Sequence, residues 1–240
     1  MSTQPTKAAP LWRSVFVLSL LAAVFSAVFK SMDNITVHNI AIAQDGLTAA
    51  FAYLVVGGWT GFVSGLIFSL LVGKRLVDPD FNGLVFRNRV MHKQALIAGV
   101  ISAGSTLFLL WGNQLGDPSV LIALGNGVIV YTALYDVFTK QASGRLLLVP
   151  IVMVIVGGAL AAFSGSFYVT ALGIVMVTLV SNLLAAFSEV VEQKGAKASD
   201  GVNLFVWRFF WLASTGTILA IVVSSIRGYP QPDSNRRSTR

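Results

Sequence analysis

From Leu146 to Ser188 the chain runs for forty-three residues without one charged side chain. A helix crosses the hydrocarbon core of a bilayer with roughly 20 apolar residues, so this run is too long for one crossing and long enough for two. Only 11% of the 240 residues are charged and 55% are hydrophobic, whereas about a quarter of a soluble domain is charged. Strands of a membrane β-barrel alternate apolar and polar residues, and these runs are continuous. The expected fold class is therefore an all-α integral membrane protein.

Seven spans are predicted by reading uncharged runs between charges and turn formers. The first is a sixteen-residue stretch between Arg13 and Lys30, short enough to need its flanking cations to snorkel. A cleaved signal peptide is the other reading of that segment, although no clean small-x-small site follows it. The second occupies the uncharged run from Gly46 to Gly73, the third runs from Gln94 to Trp111 and the fourth from Ser119 to Val137. Ser164, Gly165 and Ser166 divide the long run into a fifth and a sixth, and the seventh extends from Asn203 to Ile226.

Lys and Arg counts orient these spans. With the N-terminus inside, eleven fall on inner segments: Lys7 and Arg13; Lys74, Arg75, Arg87, Arg89 and Lys93; Lys140 and Arg145; Lys194 and Lys197. Five fall outside, and four of those belong to the last fourteen residues. The net charge of +7 is thus assigned to inner loops before any nucleic-acid partner is invoked, and the expected setting is the plasma (inner) membrane with a cytoplasmic N-terminus.

The chain also resembles itself. Leu20 to Lys30 (LLAAVFSAVFK) reads like Leu183 to Lys194 (LLAAFSEVVEQK), with a one-residue slip. The following span matches at a constant offset of 155, which lays Asp45-Gly46 onto Asp200-Gly201, Thr60-Gly61 onto Thr215-Gly216, Ser69 onto Ser224 and Gly73 onto Gly228. Spans six and seven then repeat spans one and two, and a unit of five spans re-enters the membrane inverted.

On these passages, together with ALIAGVISAGSTLFLLWGNQLGDPSVLIALGNGVIVYTALYDVFTK and GRLLLVPIVMVIVGGALAAFSG, the chain resembles the EamA-like group of the drug/metabolite transporter superfamily. The resemblance covers nearly the whole chain through patterns rather than a diagnostic motif. It implies one five-helix repeat over 14–163 and the first two helices of an inverted second repeat over 167–226. A cytoplasmic N-terminus (1–13) and a basic polar tail (227–240) flank them. Full members have ten helices, so three are expected to be missing, and a homodimer is one arrangement that would supply them. The family's fourth helix has a proline near its middle and an acidic inner end; Gly125-Asn126-Gly127 and Lys140 stand there, with Asp136 a turn earlier. The implied function is secondary transport of a small metabolite or drug-like solute by alternating access. The alternative is a non-transporting membrane protein, either a remnant or a subunit of a helical complex.

Ionisable and amide groups within spans are the default candidates for a substrate pathway. Asn126 lies mid-span between glycines, as an unwound cavity segment or as an amide bridging helices. Arg208 shares a helical face with Trp211 and Thr215, as an anion contact or as an arginine snorkelling to the inner surface, and Glu189 and Glu192 are within reach to pair with it. Asp136 is a candidate for proton coupling or an interfacial carboxylate facing Lys140. Asn182 and Glu189, seven apart, share one face of span six. Tyr53 and Trp59 are candidate cavity walls, and Gly57, Gly61 and Gly65 form a small-residue packing ridge. With zero cysteines, two histidines and no phosphate-binding or hydrolase motif, no enzymatic activity, cofactor or metal is expected. The lipid bilayer and an unidentified small molecule are the expected partners.

Overall fold

The computed structural model describes residues 45–71, 73, 81–139, 170–198 and 200–227, with the isolated positions 32, 36, 151, 152, 156, 157 and 160. The expected first span, nearly all of the fifth, the N-terminal segment and the tail after Arg227 lie outside the described residues. Every element formed by the described residues is a helix.

Short polar side chains set where the helices begin, by satisfying backbone N–H groups that have no partner within the first turn. Asp45 accepts from the Thr48 amide at 3.0 Å and opens α1, Gly46–Phe68. Asn88 accepts from the Met91 amide at 3.1 Å and opens α2, Arg89–Asn113. This helix starts five residues before the expected Gln94, because Arg89, His92 and Lys93 lie within it without ending it. Pro118 takes the first position of α3, Pro118–Gly125, where a missing N–H costs nothing. Two residues later α4 runs over Val128–Phe138. Thr170 caps a helix that runs as α over Ala171–Ile174, as π over Val175–Ser181 and again as α over Asn182–Ala198; these pieces together are α5. Asp200 accepts from the Asn203 amide at 2.6 Å and opens α6, Gly201–Arg227.

Four stretches, Gly46–Leu71, Arg89–Asn113, Ala171–Lys197 and Gly201–Ile226, are long and apolar enough to cross a membrane. At 1.5 Å per residue each reaches roughly 38 Å, against a hydrocarbon core of about 30 Å. All-helical among the described residues, the chain is a membrane-embedded, multi-pass protein. Its outward side chains fit that solvent: Val56, Ile67, Leu71, Ile218, Ile221 and Ile226 are all more than half exposed.

Ala49 and Ala50 of α1 pack on Leu110 of α2, while Met91 and Ala95 of α2 pack on Leu204 of α6. Hence α1 and α2 are antiparallel and α2 and α6 parallel. Serine contacts described below make α5 antiparallel to α2. One end of the bundle therefore gathers Arg87, Arg89, Lys93, Lys194 and Lys197, and among the described residues the opposite end holds a single basic residue, Arg227.

The α1–α6 contact is reciprocal. Leu54 meets Gly216, Gly58 meets Ala213 and Gly61 meets Phe209, so the two helices run antiparallel. Gly61 and Gly216 are 155 apart in the chain, as are Leu54 and Phe209, and as are Gly58 and Ala213. Each glycine–large contact thus has its counterpart with the roles of the helices exchanged, about a point where equivalent residues touch. Trp59 Nε1 adds a hydrogen bond to Thr217 Oγ1 at 3.0 Å. The packing ridge of α1 lies partly one residue away from its expected position: Gly58, Gly61 and Gly65 face α6, whereas Gly57 is turned towards Tyr53 of its own helix. Spacing of four drifts off a single stripe, and the i, i+3, i+7 set follows it.

Candidate functional site

A line of hydroxyls joins α2 to α5. Ser102 and Ser105 lie one turn apart on α2, and Ser181 and Ser188 lie two turns apart on α5; all four are buried. Ser105 Oγ donates to the Ser181 carbonyl at 3.0 Å, and Ser181 Oγ donates to the Ser105 carbonyl at 2.9 Å. Ser102 Oγ and Ser188 Oγ are 2.8 Å apart. A buried hydroxyl must find a partner within the protein, and serine's small volume lets the helix backbones approach closely enough to provide one.

The line ends in charge. Ser188 Oγ donates to Glu192 Oε1 at 2.8 Å, and Arg208 Nη1 of α6 donates to Glu192 Oε2 at 2.8 Å. Ser188 and Glu192 are i, i+4 on α5 and so share a face. Arg208 stands seven residues into α6, about 10 Å from its start at 1.5 Å per residue, and its side chain is 26% exposed against 25% for that of Glu192. The guanidinium carbon is 5.5 Å from the Phe209 ring centroid, and Arg208 Nε is buried without a hydrogen-bond partner. Of the two carboxylates expected within reach of Arg208, Glu192 forms the ion pair.

These groups line a cavity of about 230 Å³. Ser102, Ser105 and Thr106 enter it from α2, Ser188, Glu189 and Glu192 from α5, and Arg208 from α6. A second depression of about 430 Å³ lies between the end of α5 and the start of α6, against Leu204 and Phe205, and it too is bordered by Glu189 and Glu192. Drug-sized ligands occupy pockets of about 300–1,000 Å³, so the first cavity by itself suits a small solute.

A separate polar junction lies where the fourth span breaks. The expected single helix over Ser119–Val137 is two helices, because Gly125-Asn126-Gly127 gives up the α pattern for i→i+3 bonds: Asn126 N–H to the Ala123 carbonyl at 3.2 Å and Gly127 N–H to that of Leu124 at 2.9 Å. Asn182 is buried and donates its Nδ2 to the Leu124 carbonyl at 2.8 Å. A Cβ on Gly127 would lie 2.7 Å from that nitrogen, so glycine there makes room for the amide. The same region of α5 is π-helical, a form that frees carbonyls from their usual partners. Tyr131 of α4 donates its hydroxyl to one of them, that of Thr178, at 2.9 Å. Replacing Asn182 by Ala removes the side-chain bond into this break and is expected to cost about 1–2 kcal/mol. Thermal unfolding followed by far-UV circular dichroism checks it, and an unchanged midpoint would contradict the role assigned to the amide.

Of the sequence candidates, Arg208 and Glu189 come together at the cavity, while Asn126 and Asn182 come together at the break. Tyr53 packs on the Ala49, Ala50 and Leu110 cluster. Trp59 stacks edge-on against Phe62 and Phe210. Trp211 packs against Met91, Ala95 and Leu204, with its Nε1 buried and without a hydrogen-bond partner. Asp136 lies near the end of α4 and borders neither cavity, and Lys140 lies outside the described residues. The serines of α2 and α5 are the members that sequence reasoning missed. Their signal is the i, i+3 spacing of Ser102 and Ser105 and the i, i+7 spacing of Ser181 and Ser188, each of which sets two small hydroxyls on one face of an apolar helix. Comparison of the chain with protein-family models, with curated proteins and with solved structures finds no match.

Proposed function

We propose that this chain is a secondary transporter that moves a small solute by alternating access, on the seven-span, five-plus-two architecture of the drug/metabolite transporter superfamily. One observation carries the reading: an ion pair and a set of hydroxyls line a cavity among helices whose outward faces are aliphatic. Ionisable groups at that depth are costly and mark solute pathways. Transporters build such sites between inverted repeats, and the reciprocal contacts of α1 and α6 are what a local two-fold axis lying across both helices would produce. The clustering of basic residues at one end supports a cytoplasmic location for that end and for the N-terminus, in a plasma membrane. No step here calls for catalysis.

The cysteine-free chain allows a test that needs no known substrate. Thr106→Cys puts one thiol in the cavity wall, and a membrane-impermeant thiol reagent is applied separately to each face of oriented membrane vesicles. Labelling from both faces is expected, because alternating access opens the cavity to each in turn. Labelling from one face only, or from neither, would favour a non-transporting bundle in which the hydroxyls serve only to hold helices together.

A further inference from the structure

We propose that the basic end of the bundle carries a site for an anionic phospholipid, with its headgroup on Arg87, Arg89 and Lys93 and its acyl chains along the aromatic and aliphatic surface that continues from them. The segment before α2 is fastened to α6. Asn203, fully buried, accepts from the Val85 amide at 2.8 Å and donates its Nδ2 to the Gly83 carbonyl at 3.0 Å. Trp207 Nε1 donates to the Val85 carbonyl at 3.1 Å. Gly83 has φ +119°, a conformation that a side chain disfavours, so the turn that lays the segment on α6 depends on glycine. What the segment holds out is Phe86, 68% exposed, its ring centroid 5.2 Å from that of Trp207.

Apolar surface continues from there along the helices. The Trp207 ring meets Phe210 at 5.7 Å, and Phe210 meets Trp59 and Phe62 of α1 at 6.0 and 5.5 Å. Phe210 is nine residues into α6, about 14 Å from its start at 1.5 Å per residue, so the tract leads from the helix end towards the middle of the span. On α2, Arg89, Lys93, Leu96 and Val100 are all exposed. At i, i+4, i+7 and i+11 they share a face, with cations at the helix end and aliphatic side chains deeper. His92 of the same helix, its ring centroid 4.6 Å from that of Trp207, sets this face beside the aromatic tract. From residue 81 to residue 116 the chain has no Asp or Glu, and among the described residues the one ion pair is that of Arg208 with Glu192. Arg87, Arg89 and Lys93 are therefore three exposed cations with no carboxylate partner among the described residues. A soluble polyanion would pair with them and leave Phe86 and the aliphatic face bare, whereas a phospholipid covers both. Its headgroup must carry net negative charge, because a zwitterionic one sets an ammonium against the same cations. Each Lys or Arg near the surface favours an anionic lipid roughly fivefold, so three together amount to roughly a hundredfold.

The full chain in phosphatidylcholine vesicles is tested by quenching of its tryptophan fluorescence with lipid brominated on the acyl chains. Brominated phosphatidylglycerol, added as a minor component, is expected to reach half of its full effect at a fraction roughly tenfold or more below that of brominated phosphatidylcholine. Trp207→Phe, which keeps a ring in the stack, should lose most of this early quenching and so locates the lipid. Arg87→Gln/Arg89→Gln/Lys93→Gln should be quenched alike by the two lipids. Lys194→Gln/Lys197→Gln removes charge from the same end of the bundle and should keep the preference. Equal quenching of wild type by both lipids overturns the proposal. So does an equal loss of preference in the double and the triple variant, because the charge of the whole end would then gather the lipid and no site would be needed. Soluble glycerol phosphate at millimolar concentration should leave the quenching unchanged; relief by it would mean that the headgroup alone is held, and the phospholipid assignment falls.

Discussion

Replacing Gly99 by Ala is expected to lower the thermal midpoint of the purified protein by more than any other single-methyl change in the described helices. A Cβ at this position would lie 2.6 Å from Trp211 Cβ, 2.8 Å from the Arg208 carbonyl oxygen and 2.9 Å from the Leu212 amide nitrogen. Two of the three are backbone atoms of α6, which cannot swing aside as the end of a side chain can. The helices must separate or tilt, and the cost of overpacking of this kind is about 1–3 kcal/mol. Ala is the better helix former by about 1 kcal/mol, so intrinsic propensity opposes the loss and does not cancel it. Gly104→Ala on the same helix is the control: its Cβ would meet only Leu184 Cδ1 at 3.5 Å, an ordinary contact, and that variant should equal wild type or exceed it. If both variants melt at the same temperature, the close crossing of α2 and α6 is not what holds Arg208 in place. Because the Arg208 carbonyl is itself one of the contacts, Gly99→Ala should also displace the guanidinium from Glu192. It should therefore weaken any binding that depends on Arg208.

Uncharged length and charge asymmetry made the membrane class legible from sequence, because each is a property of a single stretch read against one bilayer thickness. Helix starts are less so: Asp45, Asn88 and Asp200 cap three of them, yet a cation reads as the edge of a span, and α2 begins five residues before the expected Gln94. Long basic side chains reach the interface from within a helix, so a cation marks the height of the interface and not the helix end. The offset of 155 was legible as a pattern, and the way Leu54, Gly61, Phe209 and Gly216 exchange partners was not, since it depends on which helices meet. Asn126 and Asn182 were each identified alone. That one amide fills the break made around the other is a fact of packing between helices 58 residues apart at their contact. The serine line escaped for the same reason. A serine in an apolar run has no meaning until the residue opposite it is known.

Arg208→Leu and Glu192→Leu should each destabilise the protein, and the double replacement should cost less than either one alone. Removing one member of an ion pair leaves the other charge in the cavity without its counter-ion, and for fully buried pairs that penalty is about 3–5 kcal/mol. For pairs in open solvent it is about 0–1 kcal/mol. With roughly a quarter of each side chain exposed, an intermediate loss of about 2–3 kcal/mol is expected for each single variant. Arg208→Leu should be the milder of the two. The Glu192 it leaves behind keeps the hydrogen bond from Ser188, whereas the guanidinium left by Glu192→Leu loses its one ion-pair partner and remains charged at any accessible pH. Unfolding midpoints of the four proteins complete the cycle. Losses that add without coupling in the double variant would mean that neither side chain depends on the other, and that the ion pair does not tie α5 to α6.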